Sequence, residues 1–242
     1  STTTWGGSAV PTSADAVFIN QGIAVTVDIS NAVCASVAIN TGSTGTGTLQ
    51  FNASSILTSS GAVTLGGTGQ KVGNLTMTNG GTLKIGGTSS LVVTNGTFTP
   101  GLGTIEYSGT GQAVYAAAYN NLTFSGSGAK TIATGTSVTR LLSIQGTATA
   151  SINTGLNISV DSLTLGANGT ANSTWGSTTA TTASYKTNTY FAATTGYFTV
   201  TSDTRTTPTV TPTVGTYTYS GAAQGPNAST NTGPGSSYTY SY

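Results

Sequence analysis

Short runs in which apolar and polar residues alternate dominate this sequence, and Gly or Asn separates one run from the next. Alternation with a period of two gives a strand one apolar face, whereas helical spacing is almost absent. Turn sequences such as Asn79–Gly81 supply the positive φ that tight connections need. We therefore predict an all-β chain with strands at Val17–Asn20, Ala24–Ile29, Ser36–Ile39, Thr48–Phe51, Ala62–Leu65, Asn74–Thr78, Thr82–Ile85, Leu91–Thr94, Thr104–Tyr107, Asn121–Phe124, Leu141–Ile144, Leu156–Val160 and Ser162–Leu165.

A short pattern, a polar residue followed by Leu, Thr and an apolar residue, recurs within these strands. It occurs at Asn74–Met77, Asn121–Phe124 and Ser162–Leu165, and Leu142–Ile144 is related to it. Leu142 precedes Leu163 by about 20 residues, which is the length of one β-solenoid coil. The interval from Leu75 to Leu122 is near two such lengths. The spacing predicts that these segments stack on one another in successive coils.

The composition favours a parallel β-solenoid. Such a fold buries Val, Leu and Ile in its interior and stacks Thr, Ser and Asn on its outer faces. Gly accounts for 34 of the 242 residues, about twice its average usage, as expected if each coil needs several tight corners. The alternative is a β-sandwich, because the same strand spacing also suits antiparallel hairpins.

Aromatic residues become frequent after about residue 169 and predict a cap on the solenoid. An uncapped last coil would expose unpaired backbone groups. Trp5 is predicted to have the same role at the N-terminal end, so the solenoid with its caps spans residues 1–205. The aromatic residues of the C-terminal cap are Trp175, Tyr185, Tyr190, Phe191, Tyr197 and Phe198.

The remainder of the chain differs from the solenoid. Residues 206–213 are rich in Thr and Pro, which predicts an extended linker. Residues 214–242 contain two segments of alternating tyrosines, and two strands are too few for an independent sheet. We predict a partial β module that pairs with a further strand, in a longer parent chain or in another copy. The residues predicted to take part in this pairing are Tyr217, Tyr219, Tyr238, Tyr240 and Tyr242.

The scarcity of ionisable groups argues against an enzyme. Histidine is absent and only 5% of the residues are charged, whereas acid–base catalysis near neutral pH needs titratable side chains. The lack of histidine also excludes a zinc site of His and Cys. We expect no catalytic residue, metal or cofactor. The carboxylates are far apart in sequence, although stacked coils can bring two together: Asp15, Asp28, Glu106, Asp161 and Asp203.

Charge, hydropathy and cysteine content limit the partners and the location. The net charge is +1 and the cations are scattered, so we expect no nucleic acid partner. No apolar run reaches the ~20 residues of a membrane helix. Cys34 has apolar neighbours and no partner for a disulfide, which predicts a buried, unreactive thiol. The hydroxyl-rich composition and a start without Met favour an extracellular protein whose signal peptide has been removed.

Four segments resemble secreted, repetitive cell-surface proteins of the Bacteroidota. Thr4–Asp15 is similar to the mature N-terminus of such proteins, and Tyr119–Gly126 resembles one of their repeated strands. Ser173–Phe191 resembles the segment that closes their β-rich region. Gly215–Asn227 resembles the first half of an MBG-type repeat, a small Ig-like β module. The order of the segments along the chain is a stronger signal than any single motif.

This resemblance implies export through the outer membrane by the type IX route and a role in adhesion, gliding or extracellular fibres. The chain departs from the family pattern because it stops midway through the MBG-like repeat and no sorting domain follows. We therefore expect it to be the N-terminal part of a longer protein. Asp161–Leu163 matches a sequence motif that the Bacteroidota use for O-glycosylation. Ser162 is therefore a predicted modification site.

Together these observations predict a non-catalytic structural protein, a subunit or segment of a bacterial cell-surface fibre or adhesin. Its expected partners are copies of itself or further repeats of the parent chain. The first alternative is a monomeric adhesin stalk that binds surface glycans through exposed tyrosines. The second is a polysaccharide-active β-helix enzyme, which would need two carboxylates facing each other.

Overall fold

The computed structural model describes residues 10–88 and 90–206 and, by their backbone alone, residues 209–212 and 229–232. Within these residues the regular secondary structure consists of β-strands, and no helix is present. The first strands are β1 (Ala16–Ile19), β2 (Ala24–Val27), β3 (Ala32–Cys34), β4 (Ser36–Ile39), β5 (Gly45–Phe51), β6 (Ile56–Ser59), β7 (Val63–Leu65), β8 (Lys71–Thr76), β9 (Thr82–Ile85), β10 (Leu91–Val93), β11 (Gly96–Thr99) and β12 (Thr104–Tyr107). They are followed by β13 (Ala118–Phe124), β14 (Ser127–Ile132), β15 (Ser137–Ile144), β16 (Thr147–Ile152), β17 (Asn157–Leu165), β18 (Asn168–Gly169), β19 (Thr174–Gly176), β20 (Tyr185–Lys186), β21 (Tyr197–Val200), β22 (Thr209–Pro212) and β23 (Ser229–Thr232).

The strands from β1 to β12 wind into coils, and each coil contributes one strand to each of three sheets. The first sheet has the order β1-β4-β7-β10 and the second β2-β5-β8-β11, while the third begins with β3-β6-β9-β12. Neighbouring strands are parallel, so that Val17 lies opposite Val37 and Leu49 lies opposite Leu75. The N-terminal half is therefore a three-sided solenoid.

The third sheet continues through the C-terminal half as β13, β15, β17 and β21. Register shifts at Tyr119/Asn121 and Val138/Leu141 interrupt the pairing of these long strands. Such irregularities let a strand bend. β14 and β16 form a separate parallel pair. The whole is a β-solenoid of about seven turns, which confirms the predicted fold class and excludes the β-sandwich, whose sheets are antiparallel.

Two columns of inward side chains run along the third sheet. They supply most of the side chains that this sheet buries in the core. Each member is buried and lies in register with the member above it. Removal of this apolar surface from water contributes about 25 cal/mol per Å². The first column contains Leu57, Leu83, Ile105, Leu122, Leu142 and Leu163, and the second contains Ile85, Tyr107, Phe124, Ile144 and Leu165.

The predicted stacking of the recurring pattern is confirmed for its later copies and wrong for its first copy. Leu122 and Leu163 lie on either side of Leu142 in register. Leu75 instead lies in β8 of the second sheet. The interval of 47 residues from Leu75 to Leu122 is longer than two coils. In the coil that contains Leu75, the residue that lies in the third-sheet column is Leu83, two coils before Leu122.

Three glycines stack in register at the corner where the second sheet begins. Gly73 lies between Gly47 and Gly96. Its backbone packs so closely against the first sheet that a Cβ would overlap the amide nitrogen of Gly66 and the carbonyl oxygen of Ile39. This close approach, and not an unusual φ, requires glycine at position 73.

The aromatic segment predicted to cap the C-terminal end packs over the last coil. β21 extends the third sheet in parallel with β17, and β19 then pairs with β21 in the antiparallel direction. Phe191 and Phe198 are buried, with ring centroids 6.1 Å apart. The antiparallel strand ends the parallel progression of coils and covers the edge that β21 would otherwise expose.

Part of the predicted linker and tail is also described. Thr209–Pro212 pairs in the antiparallel direction with Ser229–Thr232. The first of these strands falls within the predicted linker, residues 206–213, and the second falls within the predicted β module, residues 214–242. The alternating tyrosines of the tail, and Trp5 at the other end, lie outside the described residues.

Candidate functional site

The outward side of the third sheet carries two columns of mostly uncharged polar side chains, which we call the hydroxyl face. Outward and inward residues alternate along each strand, so the same register that builds the core builds this surface. Most of these side chains are partly exposed. The hydroxyl face consists of Thr58, Thr82, Lys84, Thr104, Glu106, Asn121, Thr123, Ser143, Ser162 and Thr164, and the partly exposed Ile56 and Leu141 lie in the same columns.

Hydrogen bonds join neighbouring coils across the outer faces. Thr164 Oγ1 donates to Ser143 Oγ at 2.9 Å, and Gln145 Nε2 donates to the same oxygen at 2.9 Å. On the second sheet, Gln50 Nε2 donates to Thr26 Oγ1 at 2.6 Å. Such cross-strand pairs contribute roughly 0.2–1 kcal/mol each. These side chains therefore stabilise the stack and carry no group suited to acid–base chemistry.

One ion pair lies within the hydroxyl face. Lys84 Nζ is 3.0 Å from Glu106 Oε2, and the two residues are in register on adjacent coils. The other carboxylate oxygen, Oε1, accepts a hydrogen bond of 2.6 Å from Ser125 Oγ. Both oxygens of Glu106 are thus engaged in contacts that hold neighbouring coils together.

Two further carboxylates, Asp161 and Asp203, lie at the C-terminal end of the solenoid. Asp161 Oδ1 accepts a hydrogen bond of 2.5 Å from Ser202 Oγ, which is the main reason that the pKa of Asp161 is lowered. Asp203, which follows Ser202 in the sequence, accepts two hydrogen bonds from Arg205 Nε and one from Arg205 Nη2. These hydrogen bonds lower the pKa of Asp203. Each carboxylate has its own partner and stays ionised near neutral pH, unlike the raised-pKa acid that glycosidases use.

The residues that the sequence predicts for glycosylation, for strand pairing and as an unreactive thiol lie in different parts of the chain. Ser162 lies in β17 on the hydroxyl face, partly exposed, and its hydroxyl donates to Asp161 Oδ2 at 3.2 Å. Cys34 is fully buried, and burial raises the pKa of its thiol, in agreement with an unreactive thiol. The residues predicted for strand pairing lie outside the described residues: Tyr217, Tyr219, Tyr238, Tyr240 and Tyr242.

A fully buried lysine lies inside the solenoid and was not predicted. Lys130 Nζ donates to Gln112 Oε1 at 2.9 Å and to the carbonyl oxygens of Gly109 and Ser127. Burial lowers the pKa of Lys130 to about 8, because desolvation disfavours the charged form. The alternation that points Ile132 inward also points Lys130 inward, and this was the available sequence signal.

Three tyrosines form a second polar network that the sequence did not predict. Tyr119 OH donates to the carbonyl oxygen of Tyr115 at 2.5 Å, so Tyr107 OH is the donor in its 3.2 Å contact with Tyr119 OH. Tyr107 OH in turn accepts the amide hydrogen of Tyr115 at 2.9 Å. Burial raises the pKa of Tyr107 to about 12 and that of Tyr119 well above its ordinary value. The network ties the segment around Tyr115 to the core.

These buried groups predict a maximum of stability in mildly alkaline solution. Between pH 8 and 10.5 the unfolded chain binds more protons at Lys130 than the folded chain does, so the free energy of unfolding rises with pH. From about pH 9 the unfolded Cys34 thiol, and above pH 10 the unfolded tyrosines, lose protons before buried Cys34, Tyr107 and Tyr119 do, so these groups make the free energy of unfolding fall. Urea unfolding at a series of pH values measures both effects.

A variant separates the contribution of the lysine from that of the tyrosines. Lys130→Met keeps the volume of the side chain and removes its charge. We expect this variant to lose the rise in stability between pH 8 and 10 and to keep the fall above pH 10. A rise that persists in Lys130→Met would contradict the assignment to Lys130.

The N-terminal end of the solenoid contains a cavity of about 140 Å³. Its walls come mainly from apolar side chains of the first coils, such as Val17, Val25 and Leu49, with Asp28 also contributing. Residues 1–9, which include Trp5, precede this end of the structure and lie outside the described residues. The proposed N-terminal cap therefore stays a prediction.

The C-terminal cap carries an aromatic pair at its surface. The rings of Trp175 and Tyr185 are stacked, with centroids 4.4 Å apart and planes inclined by 11°. Trp175 Nε1 donates to the carbonyl oxygen of Ala171 at 2.9 Å, whereas Tyr185 is exposed. The sequence predicts Trp175 and Tyr185 as cap residues. No sequence pattern predicts that their rings stack, because the contact joins two short strands.

In the part of the chain that the structure describes, no three His, Cys, Asp or Glu residues group together in a way that could hold a metal ion. Among the same residues, no helix has the length and apolar character needed to cross a membrane. No protein family model, curated protein or solved structure matches this chain.

Proposed function

We propose that this chain is a non-catalytic structural protein of the bacterial cell surface, a subunit or segment of an extracellular fibre or adhesin. The observation that carries the proposal is the continuous third sheet, which extends from β3 to β21 through stacked coils. With strands about 4.8 Å apart, seven turns give a rod about 30 Å long. Backbone hydrogen bonds run along the axis of such a rod and resist extension along it.

The bonding of the carboxylates supports a non-catalytic role. Glu106 pairs with Lys84, Asp161 accepts a hydrogen bond from Ser202, and Asp203 pairs with Arg205. The first two contacts join different segments of the solenoid, and the third is local to the segment that follows the last strand of the third sheet. Catalysis by paired carboxylates requires one acid with a raised pKa, whereas the pKa values of Asp161 and Asp203 are lowered.

The neutral, hydroxyl-rich surface supports an extracellular location and supports partners that are copies or repeats of this chain. The hydroxyl face is neutral apart from the Lys84–Glu106 pair, and the resemblance of several segments to Bacteroidota surface proteins points the same way. The proposed partners are further copies of this chain or further repeats of a longer parent protein. Pairing through the tail tyrosines and glycosylation at Ser162 belong to the same proposal.

Immunogold electron microscopy of intact producing cells tests the location. Antibodies raised against the purified chain are expected to place gold on the outside of unpermeabilised cells, at extended surface material. An antibody against a cytoplasmic protein serves as the control for intact membranes. Labelling by the specific antibody only after permeabilisation would reject the proposed surface role.

A further inference from the structure

The stacked pair of Trp175 and Tyr185 presents an aromatic surface that a structural role does not require. Trp175 lies in β19 and Tyr185 in the neighbouring strand β20, where the two residues are in register. The indole covers one face of the tyrosine ring, and 43% of Tyr185 stays accessible to solvent. The accessible surface is therefore the opposite face and the edge of a flat ring.

This ring is held in place before any ligand arrives. Trp175 packs against the core and is fixed by the hydrogen bond from its Nε1 to Ala171. The residue before Tyr185, Ser184, donates its amide hydrogen to Thr174 Oγ1 at 2.8 Å, and the two hydroxyls are 3.2 Å apart. A pre-ordered surface loses little conformational entropy when it binds a ligand.

Charged groups that can form hydrogen bonds lie on the segment that packs beside the aromatic pair. Arg205 donates to Asp203 through its amide, Nε and Nη2, and both side chains are partly exposed. Thr204, which lies between these two residues, donates its amide hydrogen to the carbonyl oxygen of Thr170 at 2.9 Å, and the neighbouring carbonyl of Ala171 accepts the hydrogen bond from the indole. The pair has no net charge and offers hydrogen-bond donors and acceptors to a ligand.

We propose that the exposed face of Tyr185, together with Asp203 and Arg205, binds neutral polysaccharide. A sugar ring has an apolar face of C–H groups that stacks on an aromatic ring, while its hydroxyls need donors and acceptors at the edge. Tyr185 supplies the aromatic ring, and the Asp203–Arg205 pair supplies the hydrogen-bond donors and acceptors. The charges of the pair cancel each other, so the site favours a neutral sugar over a uronic acid.

Titration of the full chain with purified oligosaccharides tests this site. The probes are hexasaccharides of glucose, xylose, mannose and N-acetylglucosamine, with a hexasaccharide of galacturonic acid for comparison. Calorimetry and the tryptophan fluorescence of a Trp5→Phe background, in which Trp175 is the remaining tryptophan, report binding. We expect at least one neutral probe to bind with a Kd of about 1 mM or lower and to change the fluorescence, since the indole lies directly under Tyr185.

Two variants identify the ring. Tyr185→Ala is expected to weaken binding by about tenfold or more, and Tyr185→Phe is expected to keep it within about threefold, because stacking needs the ring and not the hydroxyl. Phe18→Ala removes an aromatic ring that is 67% exposed on the first sheet and serves as the matched control, with unchanged affinity. Thermal unfolding confirms that all variants fold.

The assignment would be overturned by the absence of binding to every neutral probe, by equal affinity in wild type and Tyr185→Ala, or by preference for the uronic acid probe. Weaker self-association in Tyr185→Ala without any sugar binding would also overturn it, and would assign the ring to a protein contact. The site does not depend on the proposed surface role, because oligosaccharide binding and immunogold labelling are separate measurements.

Discussion

Replacement of Leu142 by alanine is expected to lower the free energy of unfolding by about 2–5 kcal/mol. Leu142 is fully buried between Leu122 and Leu163 in the inward column of the third sheet. Truncation leaves a cavity, and neighbours held in a backbone ladder on both sides have little freedom to close it. Urea unfolding of the wild type and the variant measures the difference.

The adjacent residue gives a matched control for this substitution. Leu141 points to the opposite side of the same strand, is partly exposed and lies in register with Asn121 and Ser162. Leu141→Ala is expected to cost less than about 1 kcal/mol, since surface substitutions usually have small effects. Equal costs at the two positions, or a larger cost at Leu141, would show that the strand has a different register.

Gly73→Ala is expected to destabilise the protein by about 3 kcal/mol, although it adds only one methyl group. The new Cβ would overlap backbone atoms of Gly66 and Ile39, and backbone held in two sheets cannot move aside as a flexible side chain can. The strain would fall on the corner between the first and second sheets. The thermal unfolding midpoint and the urea midpoint should both fall.

Gly42→Ala provides the corresponding control. Gly42 is exposed, has no positive φ, and a Cβ there would meet no heavy atom within 4 Å. This variant is expected to be as stable as the wild type or slightly more stable, because alanine restricts the unfolded chain more than glycine does. If Gly73→Ala were as stable as Gly42→Ala, the proposed close packing at the corner would be wrong.

The strands and the general fold could be predicted because both depend on local patterns. Alternation located β4, β9 and β12 with the bounds that the structure has, and the 20-residue spacing predicted the stack of Leu142 on its neighbours. The position of Leu75 could not be predicted from that spacing, because each coil contributes strands to three sheets and the interval from Leu75 to Leu122 is not a whole number of coils. A periodic argument holds only where the coil length is constant.

The candidate binding site depends on contacts that sequence patterns do not reveal. The stacking of Trp175 on Tyr185 and the pairing of the segment around Thr204 with Thr170 arise from the packing of short cap segments. The inward position of Lys130, in contrast, was available from alternation. It was missed because a charged residue is normally expected at the surface, and burial requires the hydrogen bonds that Gln112 and backbone carbonyls provide.

Electron microscopy of the purified chain, with and without residues 214–242, tests the proposed structural role most directly. If the chain is a subunit that pairs through its tail, the complete chain should form regular fibres and the truncated chain should remain as single short rods. Single short rods in both samples would contradict self-assembly through the tail.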